Sequence, residues 1–270
     1  IYRSRKKMER AVLFFDIDGT VISDDTKMVP ESAIIALREA QKNGHLLFIN
    51  TGRTICSVPS EVRRVRFDGY LCGCGTYLLY GDEILFARSV PQERGKKIIE
   101  EIGRCNLGGV AEGVEDVYFP GRMTRFENLE QSRRHFRGKG MGIEQPLESG
   151  GFIYDKLFIY ADEKSDLERF LKYIEEDMEA IDRGGNTYEV IQKGYSKATA
   201  CEFTLKKLGI PKERAYVFGD SSNDLSMFEY ACHTIAMGVH SPVLDPYTEY
   251  VTSRVEEDGI ANALRHYGLI

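Results

Sequence analysis

Asp16 and Asp18, one residue apart, follow the apolar run Val12, Leu13, Phe14, Phe15, with Gly19 and Thr20 directly behind them. The run shows no polar alternation, as expected of a strand covered on both faces, and Gly19 permits a sharp exit that brings backbone close to a ligand. Carboxylates at the mouth of such a strand can ionise, bind a metal or attack phosphorus. They can also simply close a turn by accepting nearby backbone N–H groups. Two further polar clusters stand in the same relation to apolar runs. His45 to Asn50 leads into Thr51, Gly52 and Arg53, and Arg214 to Gly219 leads into Asp220, Ser221, Ser222, Asn223 and Asp224.

Parallel strands bring such clusters together, because the carboxyl ends of an open parallel sheet line one crevice. Between the second and third clusters, Ser196 and Lys197 open the stretch SKATACEFTLKKLG. Ser196 is suited to cap a helix, Gly209 to end it, and Ala200, Phe203, Leu205 and Leu208 to face a core. Lys197 then lies in the first turn, near the crevice. The segment from Pro30 to Asn43 reads as a helix with Pro at its start and Gly44 beyond its end.

The elements DIDGT, TGR, SK and GDSSND, in this order, resemble the haloacid dehalogenase-like (HAD) phosphohydrolases, with the closest likeness to the Cof-type branch. The resemblance runs from about Glu9 to the C-terminus. It implies an α/β fold with a Rossmann-like parallel-sheet core and an inserted smaller α/β cap domain. It also implies that Asp16 is a nucleophile forming a phospho-aspartate and that Asp18 is the general acid and base. Mg²⁺ would be held by Asp16, the backbone carbonyl of Asp18 and Asp220, with Asp224 supporting them, and Thr51, Gly52, Lys197 and Asn223 would bind the phosphoryl group. The residue types suit these roles: a hard cation prefers oxygen ligands, and phosphoryl transfer needs an in-line nucleophile, cations and a proton source. Each residue also has a structural reading: Thr51 and Gly52 as a helix cap, Lys197 as a solvated lysine, Asp224 as an N-cap. Arg53 could contact phosphate or pair with a neighbouring acid, and it is left outside the catalytic set.

The chain has 270 residues, 42% of them hydrophobic, enough for two compact units. The expected core is residues 1–86 plus 191–270 and the cap 87–190, with residues 1–7 read as a leader or a non-native extension. A net charge of −6, from 42 acidic and 36 basic residues, gives no general attraction to nucleic acid or anionic membrane. No apolar run approaches the roughly 20 residues of a transmembrane helix. AVLFF is too short for a signal peptide. The six cysteines lack paired zinc-site spacing, and reduced thiols fit a cytoplasmic protein. Cys72 and Cys74 are read as lying on one face of a strand.

Core strands are expected near 11–16, 45–50 and 69–74, followed by a hairpin turning at Gly81 and Asp82. The cap reads as a helix near 91–105, strands near 108–119, a helix near 124–137, a strand at 153–161, a helix near 163–179 and a strand at 187–191. RGKGMG, at 137–142, reads as a loop. Arg122, Arg125, Arg133, Arg134, Arg137 and Lys139 cluster along one helix, either as a solvated face or as a site for a second anion. Tyr118, Phe119 and Tyr188 could stack on a ring or pack a core. The stretch Cys74-Gly75-Thr76 departs from the Asn-Gly that commonly ends the family's third strand. The expected activity is Mg²⁺-dependent hydrolysis of a small phosphorylated metabolite, a sugar phosphate first among them. The alternatives are a phosphomutase of the phosphomannomutase type and a catalytically silent phospho-ligand sensor.

Overall fold

A computed structural model describes residues 9–270, so residues 1–7 lie outside the described residues. The fold is α/β and divides into two compact units. The first comprises residues up to 53, 58–86 and 196–270, and the second comprises 54–57 and 87–195.

The first unit begins with β1 (Val12–Phe15), α1 (Glu31–Lys42), β2 (Leu46–Asn50), β3 (Gly69–Cys72), β4 (Tyr77–Tyr80) and β5 (Glu83–Ala87). The second unit contributes α2 (Gln92–Arg104), β6 (Gly108–Glu112), β7 (Val117–Tyr118), α3 (Glu127–Arg137), β8 (Lys156–Tyr160), α4 (Leu167–Ile174), β9 (Met178–Asp182) and β10 (Thr187–Gln192). The chain then returns to the first unit with α5 (Lys197–Leu208), β11 (Ala215–Gly219), α6 (Leu225–Tyr230), β12 (His233–Ala236), β13 (Tyr250–Val251) and α7 (Gly259–His266).

In the first unit an eight-stranded sheet runs β13-β12-β11-β1-β2-β3-β4-β5, parallel from β13 to β3. β1 is central and wholly buried, which explains its unbroken apolar run. Val12 and Phe14 pack with Phe48, Val217, Ala200, Leu205 and Met227. Phe15 stacks on Phe218 with ring centroids 4.4 Å apart. Register places Phe15 opposite both Ile49 and Phe218, so the segments after β1, β2 and β11 leave the sheet along one edge.

Several expectations are corrected by packing. Pro30 is the residue before α1 rather than its first, and no side chain caps that helix. Ala200 and Leu205 are buried as expected, but Phe203 is 38% exposed and rests against Phe86, while Cys201 and Thr204 are buried instead. β3 ends at Cys72; Cys74 lies in the following turn with φ 56°, so the two thiols do not share a strand face.

The second unit holds a five-stranded sheet, β7-β6-β8-β10-β9, with antiparallel neighbours throughout. One face packs on α2 and α4 through Ile98, Ile102, Leu157, Ile159, Phe170 and Val190. α3 covers part of the other, where Gly108 lies so close to Phe126 and Leu129 that a Cβ would clash. The helix expected near 163–179 stops at Ile174, and Met178–Asp182 is a strand. Gly184, Gly185 and Asn186, all at positive φ, turn that strand back onto β10. α3 starts at Glu127, after the turn in which Glu130 accepts the Thr124 N–H and hydroxyl. Arg137 ends α3, and the remainder, 138–142, is a loop with Gly140 and Gly142 at positive φ. Among the described residues, no helix is long and apolar enough to cross a membrane.

Candidate active site

β1, β11 and the first turn of α5 converge on a buried lysine. Ser196 and Thr199 form a capping box at the start of α5, which fixes Lys197 as its first residue. Lys197 is 1% exposed, so the solvated reading is excluded. Its Nζ donates to Asp16 Oδ1 and to Asp224 Oδ1, each at 2.6 Å, with Asn223 Oδ1 at 3.4 Å.

The loop after β11 is shaped around Asp224. Its Oδ2 accepts the backbone N–H groups of Asp220 (2.9 Å) and Ser221 (3.0 Å), so both of its oxygens are engaged within the protein. It therefore does not cap α6 through its side chain. Asn223 Oδ1 also accepts from Ser221 Oγ at 2.7 Å. Asp220 Oδ1 accepts from Thr20 Oγ1 at 2.9 Å, a contact across 200 residues. Gly19 and Gly219 make room for these acids: a Cβ at Gly19 would lie 2.5 Å from Asp220 Oδ2, and one at Gly219 would lie 2.6 Å from the Asp224 carboxyl carbon.

Asp18 faces elsewhere. Its two oxygens accept from Arg53 Nε at 2.7 Å and Nη2 at 2.9 Å, a bidentate pair on the half-exposed rim. Of the two readings of Arg53, the observed contact is with the neighbouring acid. Thr51 comes directly after β2, is 2% exposed, and its Oγ1 accepts the Arg53 N–H at 3.1 Å. Beyond Thr51 and Gly52 the chain makes two short 3-10 turns, at Ile55–Ser57 and Ser60–Arg64, so neither residue caps an α-helix.

Asp16, Asp220 and Asp224 can each offer an oxygen within 4.8 Å of the others, and among the described residues they are the group arranged to hold a metal. Three carboxylates meet one ammonium there. Burial pushes the Asp16 pKa up to about 7 against the pull of Lys197, and burial together with repulsion from Asp16 and Asp224 pushes Asp220 up to about 8. Burial opposes the charge on Lys197, but the two carboxylates hold its pKa above the usual value. An all-oxygen donor set with surplus negative charge fits a hard divalent cation such as Mg²⁺. Asp16 and Asp220 are the ligands best placed to supply it, since Asp224 is committed to Lys197 and backbone.

Sequence reading overlooked Thr20 as the partner of Asp220, although it sits in the DIDGT string. Three of the six basic residues of the cluster are spent on structure, while Arg122, Arg137 and Lys139 are exposed. Arg133 is buried, pairs with Glu130, and donates to the carbonyls of Pro120 and Arg122. Arg125 is bidentate to Asp162, and Arg134 pairs with Glu127. Phe119 is core, and Tyr118 stacks on Phe152 at 3.5 Å. The cysteines are all free and belong to no metal-capable group among the described residues.

Comparison with known proteins points the same way. Residues 13–264 match the sequence profile of haloacid dehalogenase-like hydrolases. The chain is 26% identical to the 5-amino-6-(5-phospho-D-ribitylamino)uracil phosphatase YitU of Bacillus subtilis, over 95% of this chain and 97% of that one. It is 25% identical to the pyridoxal phosphate phosphatase YbhA of Escherichia coli, over 86% and 89% of the two chains. Among solved structures, a sugar phosphatase of HAD subclass IIB superposes with a TM-score of 0.80 at 26% identity, covering 96% of this chain and all of that one.

Proposed function

We propose that this chain, which belongs to the haloacid dehalogenase-like hydrolases and is a phosphatase, hydrolyses a small sugar phosphate with Mg²⁺ through a phospho-aspartate on Asp16. The observation that carries this reading is the pinning of a buried Asp16 by Lys197 inside a cluster of surplus carboxylates. Names carried by relatives agree with a small phosphorylated substrate, and the solved sugar phosphatase favours a sugar. Free cysteines suit a cytoplasmic location.

Asp16, the backbone carbonyl of Asp18 and Asp220 would hold Mg²⁺, which when bound supplies positive charge to offset that on the transferring phosphoryl group. Lys197 engages Asp16 Oδ1, so Oδ2 is the oxygen directed at phosphorus. Its attack forms the Asp16–phosphorus bond as the bond to the ester oxygen breaks, and Asp18 gives its proton to the departing alkoxide. Arg53 must release Asp18 for this step, because the observed bidentate pair occupies both of its oxygens. In the second step, a water attacks phosphorus, passes its proton to Asp18, and phosphate leaves with Asp16 restored. Thr51 Oγ1 accepts from Arg53 N and keeps its own proton for a phosphoryl oxygen. Gly52 N–H and Lys197 serve the remaining phosphoryl oxygens, and Asn223 steadies Lys197. Asp224 sets the positions of Lys197 and of the Asp220 backbone.

The test is a panel of sugar phosphates, nucleotides and pyridoxal phosphate with Mg²⁺. At least one member should yield stoichiometric inorganic phosphate, and EDTA should stop it. An isomeric sugar phosphate without free phosphate would establish a mutase instead. Tight binding of one member with no turnover would establish a sensor.

A further inference from the structure

Asn50 is the last residue of β2, immediately before Thr51, and its side chain is fully buried. Its Nδ2 donates to the backbone carbonyl of Lys197 at 2.9 Å and faces Cys201 Sγ at 3.2 Å and Met227 Sδ at 3.6 Å. Its Oδ1 is buried without a hydrogen-bond partner among the described residues. The surroundings are apolar: Phe48 of the same strand, Cys201 and Met227 belong to the core cluster under α5 and α6. An amide with an orphaned acceptor is a poor choice there for stability, since an aliphatic side chain of similar volume would leave nothing unsatisfied. The amide is accounted for by what its donor reaches.

We infer that Asn50 is a positioning residue that seats Lys197, tying the root of the buried ammonium to the strand beside β1. The Nζ of Lys197 sits at the end of a flexible four-carbon stem and must meet Asp16 and Asp224 at once. Two anchors fix where that stem begins. The Ser196–Thr199 capping box fixes the helix end, and Asn50 fixes the first carbonyl of α5 against β2, whose Ile49 is in register with Phe15, the residue before Asp16. Asn50 thereby couples the two chain segments assigned to phosphoryl binding, Thr51–Gly52 and Lys197. This deepens the proposed function and rests on it for its consequence in phosphate binding, but the seating of Lys197 stands apart from it.

The experiment compares wild type with Asn50→Leu, which keeps the branching and number of side-chain heavy atoms, and Asn50→Ser, whose hydroxyl is too short to reach the Lys197 carbonyl. Lysines are acetylated competitively in the folded protein and quantified by mass spectrometry. Lys197 should react about fivefold faster in both variants, the scale of one net hydrogen bond, while buried Lys156 and exposed Lys206 keep their wild-type rates. Asn50→Leu should melt within a few degrees of the wild-type temperature, removal of the orphaned acceptor offsetting the bulkier methyls. Inhibition by inorganic phosphate should weaken by about the same factor. Unchanged Lys197 labelling overturns the inference, as does labelling that rises equally at Lys156, or failure of both variants to fold, since each would make Asn50 a packing residue only. Labelling requires no turnover. An increase confined to Lys197 in a protein that hydrolyses no phosphate ester would uphold the seating role and overturn the proposed function.

Discussion

Lys197 in the first unit and Lys156 in the second are both buried, and each meets two carboxylates. Lys156 starts β8, opposite Glu112 of β6. It pairs with Glu189 of β10 and lies 3.8 Å from Glu112, and Arg183 approaches Glu189 at 3.6 Å. Two acids there meet two cations, and Lys156, Glu112 and Glu189 sit on regular strands while Arg183 directly follows β9. Around Lys197 a third acid, Asp220, joins the pair; all three acids follow strand ends, and glycines clear the space of two of them, Asp220 and Asp224. Burial and ion pairing are common to both clusters. What distinguishes a candidate for chemistry is charge left in excess, on loops that let a ligand approach.

The comparison breaks most visibly at Asp16. Asp16→Asn keeps the shape but replaces the nucleophile, so phosphate release should fall by at least about a thousandfold while the melting temperature stays near wild type. A folded Asp16→Asn variant with near-normal turnover would end the covalent mechanism. Lys156 should answer in the opposite currency. Lys156→Met leaves Glu112 and Glu189 buried without their central ammonium and should lower stability by about 3 kcal/mol, measured by chemical denaturation. Adding Glu112→Gln and Glu189→Gln should recover most of that loss. If Lys156→Met is neutral, the two clusters are not alike even in their energetics.

The smallest expected effect is a pH slope. In metal-free protein Asp16 and Asp220 bind protons more tightly than in the unfolded chain, near 7 and 8 against 3.8. The folded state therefore carries extra protons between about pH 4 and 8. Their contribution is fully present below the unfolded value and is lost as pH rises through the folded ones. Thermal melts in EDTA across that window should show stability falling with pH, less steeply in Asp220→Asn. Saturating Mg²⁺ should flatten the wild-type slope. Parallel slopes in wild type and Asp220→Asn would show that surplus charge at Asp220 is not what sets this site apart.

Much of this was legible in the sequence because it is local. Apolar runs ending in acids marked β1 and β11, and Ser196 with Gly209 bracketed α5 within a residue. Pro30 and Cys74 are misplaced by a residue or two at element ends, whereas the larger misreadings have their cause in distant contacts. Met178–Asp182 comes after an acidic, helix-favouring stretch and becomes a strand only because β10 offers a partner across a glycine turn. The bonds from Thr20 to Asp220 and from Asn50 to Lys197 span 200 and 147 residues, and no spacing rule reaches that far. Arg133 carries the same charge whether it waits for an anion or holds two carbonyls, and the fold decides between them.

The turn after β3 has a last lesson about interchangeable parts. Cys74 adopts φ 56°, a conformation in which asparagine is at ease and cysteine is not, and Gly75 brings its backbone against the Ser196 carbonyl, where a Cβ would stand 2.5 Å away. The corner thus has a contour that Asn-Gly would fit, with a thiol in the asparagine's place. A mould and its filling have come apart here, so Cys74→Asn is a graft the backbone is already cut to receive.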